Sequence, residues 1–415
     1  MDGKSVIYVT HATPSNVGNG GMHRSYQILH ELEELVGKDR VLLLTRQILQ
    51  TRYEEKEAQN SNGLFKSRRK IEQWISFRSG TVARVIKNPY RILNRTVFGA
   101  GLMPPAIKDF YENEMRGLSG KAVCLIDHAE FTELIQINQK FNIPTISCTQ
   151  NLDGLSDNFL LLQQNLEAIG ANEAGNRQRI GVYAAVTDFA NELQMLARCD
   201  ERIFISKIEA GLINGLGLSS HYHPYLPVGA VRDCHQTIRE RRDSREQEPG
   251  LFLMIGTAIY GPIRKSCEWL IENAGKHGLP PGTRVVVVGS GTETLLQPGK
   301  SVDGIELKGW VEQEELDELL TRVKAVLIPQ QFGLGAPTRL AELSCAGIPM
   351  LGCRPPTYAI DSPPGFHVLE ACWNEWYAKI EQLSNEDVHL PEEDYRLWEA
   401  AQPKPLKNVI NMLFN

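Results

Sequence analysis

The stretch QFGLGAPTRLAELSCAGIPML, residues 331 to 351, decides how the second half of the chain is read. It follows AVLIP (325 to 329), an apolar run of buried-strand type, and the turn formers Gly333, Gly335 and Pro337 lead into Leu340, Leu343 and Ala346 at helical spacing. Arg339 and Glu342 then fall one turn apart at the start of that helix, a cation and a carboxylate on one face. Glycine lets backbone approach a ligand, so the segment suits an anion site. An ordinary strand-to-helix connection with a solvated Arg and Glu fits the same letters.

Working outward, short β-branched runs ending in Gly, Asp, His or Pro alternate with helical patterns along the whole chain. The first half holds SVIYVTH (5 to 11), RVLLLT (40 to 45), AVCLID (122 to 127), TISCTQ (145 to 150) and RIFIS (202 to 206). The second holds LFLMIG (251 to 256), RVVVVG (284 to 289), GIELKG (304 to 309), AVLIP and PMLGC (349 to 353). Such alternation predicts an α/β chain with two Rossmann-like, doubly wound parallel sheets facing a central cleft. The expected division is a first domain over 1–230, with a basic helical insertion at about 64–110, and a second over 250–415 whose last helix can pack back on the first. Between them, 226 to 249 is rich in Pro and then in charge, with the linker proper at 231–249. Ligands of open parallel sheets bind past the carboxyl ends of the strands, which turns attention to residues just beyond them.

Composition narrows the classes. A length of 415 residues asks for about two cores, and 42% hydrophobic with 23% charged residues is a globular profile without low-complexity tracts. No apolar run approaches the roughly 20 residues of a membrane helix, and the N-terminus lacks the long apolar core of a signal peptide, so the cytoplasm is the expected compartment. The eight cysteines are scattered without a Cys-x-x-Cys pair and read as free thiols. His221 and His223 are spaced like metal ligands, yet the Pro-rich SSHYHPYLP around them reads as a loop, and no metal site is expected. A net charge of −6 argues against a nucleic-acid partner. Residues 66 to 95 differ, with nine Lys or Arg against the single acid Glu72. There Ile71, Trp74, Ile75, Val82, Val85 and Ile86 repeat at helical spacing, which suits an amphipathic helix on the inner face of an anionic membrane, a helix packed on the protein, or a collector of an anionic acceptor.

Past the first strand, ATPSNVGNGGMHRSYQIL places Gly18, Gly20 and Gly21 before a helix patterned by Met22, Tyr26, Leu29 and Leu32, whose first amides can hold an anion or form a plain turn. It matches neither a Walker loop nor Gly-x-Gly-x-x-Gly. His128 directly follows AVCLID, at a strand tip where an imidazole can bond or exchange a proton with a ligand. Asp127 beside it is placed to orient that ring or to cap the helix beginning near Ala129. Without any Asp-x-Asp, a metal-bridged diphosphate lacks obvious ligands, leaving amides and Arg to do such work.

In GNGGMHRSYQIL, IPTISCTQNLDGL, CDERIFISKIEAGLINGLGL, LFLMIGTAIYGP, VVVVGSGTE, LKGWVEQEELDELLTRVKAVLIP and FGLGAPTRLAELSCAGIPML, taken in order, the chain resembles nucleotide-sugar-dependent glycosyltransferases of the GT-B fold, most of all the retaining family 4-like group. The resemblance implies that Gly20 and Gly21 approach a donor diphosphate, that Arg339 pairs with it, that Glu342 accepts from ribose hydroxyls and that His128 touches the donor sugar. Arg339 offers a planar fork suited to phosphate oxygens and Glu342 two acceptor oxygens suited to a vicinal diol. Gly256, Gly289, Gly291 and Gly335 would give the base, ribose and phosphates room. In this family the leaving phosphate helps deprotonate the acceptor, so His128 and Arg339 would serve chemistry that needs neither metal nor cofactor. Two departures stand out: the family's frequent sugar-binding acid is Leu334 here, and its usual Arg and Lys after the first strand of the second domain are Thr257 and Pro262, with Arg264 and Lys265 the available substitutes. The implied donor carries UDP or GDP, and the implied acceptor is a glycan, lipid-linked, peptide or small molecule. An epimerase of the same fold and a catalytically weak partner subunit are the alternatives.

Overall fold

The computed structural model describes residues 4–10, 12–45, 105–127, 132–152, 189–331, 333, 335–386 and 388–414. The basic stretch 66–95, His11, His128 and Leu334 lie outside these residues. The strands are β1 (Ser5–Thr10), β2 (Val41–Thr45), β3 (Ala122–Ile126), β4 (Thr145–Thr149), β5 (Glu201–Phe204), β6 (His221–Tyr222), β7 (Leu251–Ile255), β8 (Arg284–Val288), β9 (Ile305–Gly309), β10 (Ala325–Ile328), β11 (Met350–Cys353) and β12 (Phe366–Leu369). They form two six-stranded sheets, in the orders β2-β1-β3-β4-β5-β6 and β12-β11-β10-β7-β8-β9, with every pair parallel. The chain therefore changes direction across each sheet at one place, between β1 and β3 in the first and between β7 and β10 in the second. In open parallel sheets ligands bind outside the carboxyl ends of the strands at such switch points.

Burial on both faces explains why the strands read as nearly unbroken apolar runs. In β1, Val6 and Tyr8 face one core and Ile7 and Val9 the other; in β7, Leu253 and Phe252 divide in the same way. The core on the Val6 side is closed by Ile28, Leu32 and Val36 of the helix Gly20–Val36 and by Leu406, Val409 and Ile410 of the last helix, Leu406–Phe414. The chain thus crosses from the first domain to the second and returns. Ile410 has no exposed surface, and Ile410→Ala is expected to cost about 3 kcal/mol, the range for emptying a buried aliphatic site. Urea titration followed by first-domain tryptic protection checks this.

The charge-rich stretch after Pro227 folds as the helix Gly229–Asp243, packed on the helices Gln313–Arg322 and Arg339–Cys345. Its arginines are not all in solvent. Arg239 donates to the carbonyls of Ser344 (2.9 Å), Cys345 (2.8 Å) and Leu390 (2.6 Å), and Arg242 to those of Leu320, Val323 and Lys324. Guanidinium forks here satisfy carbonyls that helix ends leave open, so the charge is used inside the domain. All eight cysteines are free; burial pushes the Cys124 thiol up to about 11 and Cys148 to about 12, which makes them packing groups. No described helix is long and apolar enough to cross a membrane.

Candidate active site

On the first domain, the switch point is organised around Asp127, which follows β3 and is 2% exposed. Its Oδ2 accepts hydrogen bonds from Thr10 Oγ1 (2.7 Å) at the end of β1, from Ser25 Oγ (2.9 Å) on the first helix and from Gln150 Nε2 (3.0 Å) past β4. A buried carboxylate is tolerable only with such donors, and here they tie three elements into one platform. Sequence offered Asp127 an orienting or a capping role; this hub is a third role that only the tertiary structure reveals. Gln150 Nε2 also reaches the Gly21 carbonyl at 3.2 Å, and Asn19 caps the helix by accepting from the Met22 amide at 3.2 Å. Gly20 and Gly21 are thus fixed above the strand ends. A methyl group at Gly20 would overlap Thr338 Oγ1 of the second domain, so glycine is needed there for the two domains to approach.

On the second domain, Arg339 begins its helix and turns back to the switch point, where Nη1 donates to the Ile255 carbonyl at the end of β7 and Nη2 lies 3.4 Å from Gln330 Oε1, past β10. Glu342 lies one turn on, and its Oε1 accepts from His23 Nδ1 (2.7 Å) of the first domain and from the Tyr225 hydroxyl (2.8 Å) of the segment joining the domains. Burial pushes the Glu342 carboxyl up, but the His23 hydrogen bond, His235 nearby and the Tyr225 hydroxyl outweigh it and hold the group below the usual carboxylate range. It is an ionised acceptor at neutral pH. Gly335 abuts Asn151 of the first domain, so the 335–342 segment meets the first domain at both ends.

The loop after β7 is zipped to the loop after β8: the Gly256 amide donates to the Val288 carbonyl (3.0 Å) and the Ala258 amide to the Ser290 carbonyl (2.9 Å). Gly289 has φ +129°, and a methyl there would overlap the Gly256 carbonyl oxygen; Gly291 follows beside Ile259. Arg264 and Lys265 are exposed on the helix Gly261–His277, where both pair with Glu268, at 2.9 Å and 3.8 Å.

The structure therefore brings together Gly20, Gly21, Gly335, Arg339 and Glu342, sets Gly256, Gly289 and Gly291 side by side at the neighbouring strand ends, and commits Arg264 and Lys265 to a carboxylate on their own helix. His23 was missed, although it stands one turn from Gly20 and so shares its face. Thr338 and Tyr225 carry no comparable signal. Arg24, part of the glycine-loop resemblance, is 2% exposed and donates to Gln27 Oε1 (2.7 Å) and to the carbonyls of His223 (2.8 Å) and Pro224 (3.1 Å). It holds the interdomain segment against the first helix.

In that same cluster, fully buried His223 has Nε2 3.1 Å from Glu31 Oε2. Burial lowers its pKa below the ordinary 6.5 despite the Glu31 charge. A depressed folded pKa gives stability that is complete above the unfolded value and is lost as pH falls through the folded one. The unfolding midpoint is expected to fall from pH 7 toward pH 5, by less in His223→Gln, as differential scanning fluorimetry across pH would show. Among the described residues no group of three or more His, Cys, Asp or Glu is arranged to hold a metal ion.

No family profile matches the chain, and no curated protein matches it in sequence. Solved structures do match in fold. TarM superposes with a TM-score of 0.51 at 13% identity over 75% of this chain, which spans 58% of the length of TarM. Anabaena HepE in complex with UDP gives 0.52 at 8% identity, over 98% of this chain and 97% of HepE. AviGT4, a glycosyltransferase of avilamycin A biosynthesis, gives 0.49 at 11% identity over 99% of this chain and 97% of its own. The likeness to TarM and HepE is one of architecture: two Rossmann-like parallel-sheet domains facing a cleft, the GT-B arrangement.

Proposed function

We propose that the chain is a glycosyltransferase that moves a sugar from a nucleoside diphosphate sugar to an acceptor, with retention and without a metal. The observation that carries this is the pairing of Arg339 and Glu342 at the second switch point with the Gly20–Gly21 helix start across the cleft. Arg339 is a fixed cation for the diphosphate, the Gly20 and Gly21 amides add uncharged donors, and Glu342 accepts from the ribose. Gly256, Gly289, Gly291 and Gly335 leave space for base, ribose and phosphates. His128, one residue past the buried Asp127, is assigned to the donor sugar, and Arg264 and Lys265 to the phosphates only if they leave Glu268. In the reaction the bond from the anomeric carbon to the leaving phosphate oxygen breaks, the acceptor oxygen bonds to that carbon, and the acceptor proton passes to the departing phosphate. Charge stabilisation and positioning supply the rate.

The test is a thermal-shift screen against UDP-, GDP-, ADP- and dTDP-sugars without metal, followed by nucleotide release with and without acceptors. UDP comes first because HepE was seen with it. A bound donor raises the midpoint by mass action. Acceptor-dependent release supports transfer; acceptor-independent turnover would make it an epimerase, and no shift with any donor would leave the partner-subunit alternative. For the acceptor we favour one held at an anionic membrane by the basic stretch 66–95. Changing Arg68, Arg69 and Lys70 to Glu is then expected to abolish flotation with anionic vesicles, and unchanged flotation would remove the membrane from the proposal.

A further inference from the structure

Glu342 is held from three directions. His23 reaches it from the first domain, Tyr225 from the interdomain segment, and its own helix carries it on the second domain. Both donors use Oε1. Among the described residues none donates to Oε2, and that oxygen is not among the sealed, unpartnered polar atoms. The three side chains are largely shielded, with Tyr225 at 1%, Glu342 at 12% and His23 at 13% exposure, so these hydrogen bonds compete little with water. A carboxylate held through one oxygen by two donors has less freedom to swing, which narrows the directions open to its other oxygen.

We propose that His23 is a positioning residue for Glu342: with Tyr225 it fixes one carboxylate oxygen so that the other meets a ribose hydroxyl, and it does so only when the cleft is closed. This rests on the reading of Glu342 as the ribose acceptor. A residue that merely plugged an empty site would compete for the outer oxygen; His23 instead shares the oxygen already taken by Tyr225. Ribose recognition thereby depends on closure, because the first domain supplies half of the clamp.

The experiment is isothermal titration of the full chain with UDP, GDP and ADP, each beside its 2′,3′-dideoxy analogue, and with pyrophosphate. Wild type is expected to prefer the ribose form by roughly tenfold or more, the value of a hydrogen bond to a charged group. His23→Ala is expected to lose that preference while keeping its pyrophosphate affinity and unfolding midpoint. His23→Asn, whose side-chain amide can donate from near the Nδ1 position, should restore it, and Tyr225→Phe should lose it in part. An intact preference in both His23→Ala and Tyr225→Phe would overturn the proposal alone, as would tighter nucleotide binding by His23→Ala, which would make His23 a competitor. Absence of nucleotide binding or of any ribose preference in wild type would remove the Glu342 reading and this proposal with it.

Discussion

Replacing Arg339 with alanine is expected to lower kcat/KM for sugar transfer by about 10² to 10³, the loss seen when one preorganised donor to developing charge is removed. The guanidinium is anchored by the Ile255 carbonyl and faces Gln330, so its position at the ends of β7 and β10 is set before any ligand arrives. In the proposed transfer negative charge would grow on the leaving diphosphate as the anomeric bond breaks, and a fixed cation needs no reorganisation to meet it. Arg339→Lys keeps the charge without the fork and should fall between, about tenfold below wild type. Donor affinity by calorimetry separates this from a folding defect, because the two protein hydrogen bonds given up are worth about 1 kcal/mol each. Wild-type turnover by Arg339→Ala would move the diphosphate elsewhere in the cleft.

The second large effect is on stability. Gly289→Ala combines a φ of +129°, which side-chain-bearing residues rarely adopt, with a methyl group inside the Gly256 carbonyl oxygen. Neither partner can yield cheaply: the Gly289 amide is bound to the Gly309 carbonyl at 2.7 Å and the Gly256 amide to the Val288 carbonyl. The expected cost is about 3 kcal/mol or more, lowering the second domain's unfolding midpoint by roughly 10 °C in calorimetry. Nucleotide binding should fall with it, since the two loops frame the same crevice. An unchanged midpoint would show that the loops part easily.

The parallel sheets were legible because strands buried on both faces are written as runs such as VVVV and AVLI, closed by glycine or proline. Two strands were not read. His221–Tyr222 is only two residues long inside a Pro-rich segment, and Phe366–Leu369 is an edge strand with a histidine in its middle. The stretch 231–249 reads as a linker because a run of charge in sequence usually means solvent, whereas in the helix Gly229–Asp243 Arg239 and Arg242 spend theirs on buried carbonyls. At the site, the spacing of Arg339 and Glu342 pointed to one face of a helix, but not to the partners that fold around them. Apart from Gln330, nine residues before Arg339, those come from elements more than 80 residues away in sequence, as with Ile255 to Arg339 and His23 to Glu342, and no local pattern encodes such meetings.

The return of Leu406, Val409 and Ile410 to the first sheet has a consequence for synthesis. As the chain leaves the ribosome, β1, β3, β4 and β5 are complete long before the second of the two helices that close their Val6, Tyr8, Val123 and Ile203 face exists. That part of the apolar face must wait through the making of the whole second domain, and a chain halted before residue 406 would carry it with only the helix Gly20–Val36 packed on it. Near the same corner the Lys4 ammonium donates to the Phe414 carbonyl, tying the start of β1 to the last helix. The packing of the first sheet is therefore completed last, by residues 406–410.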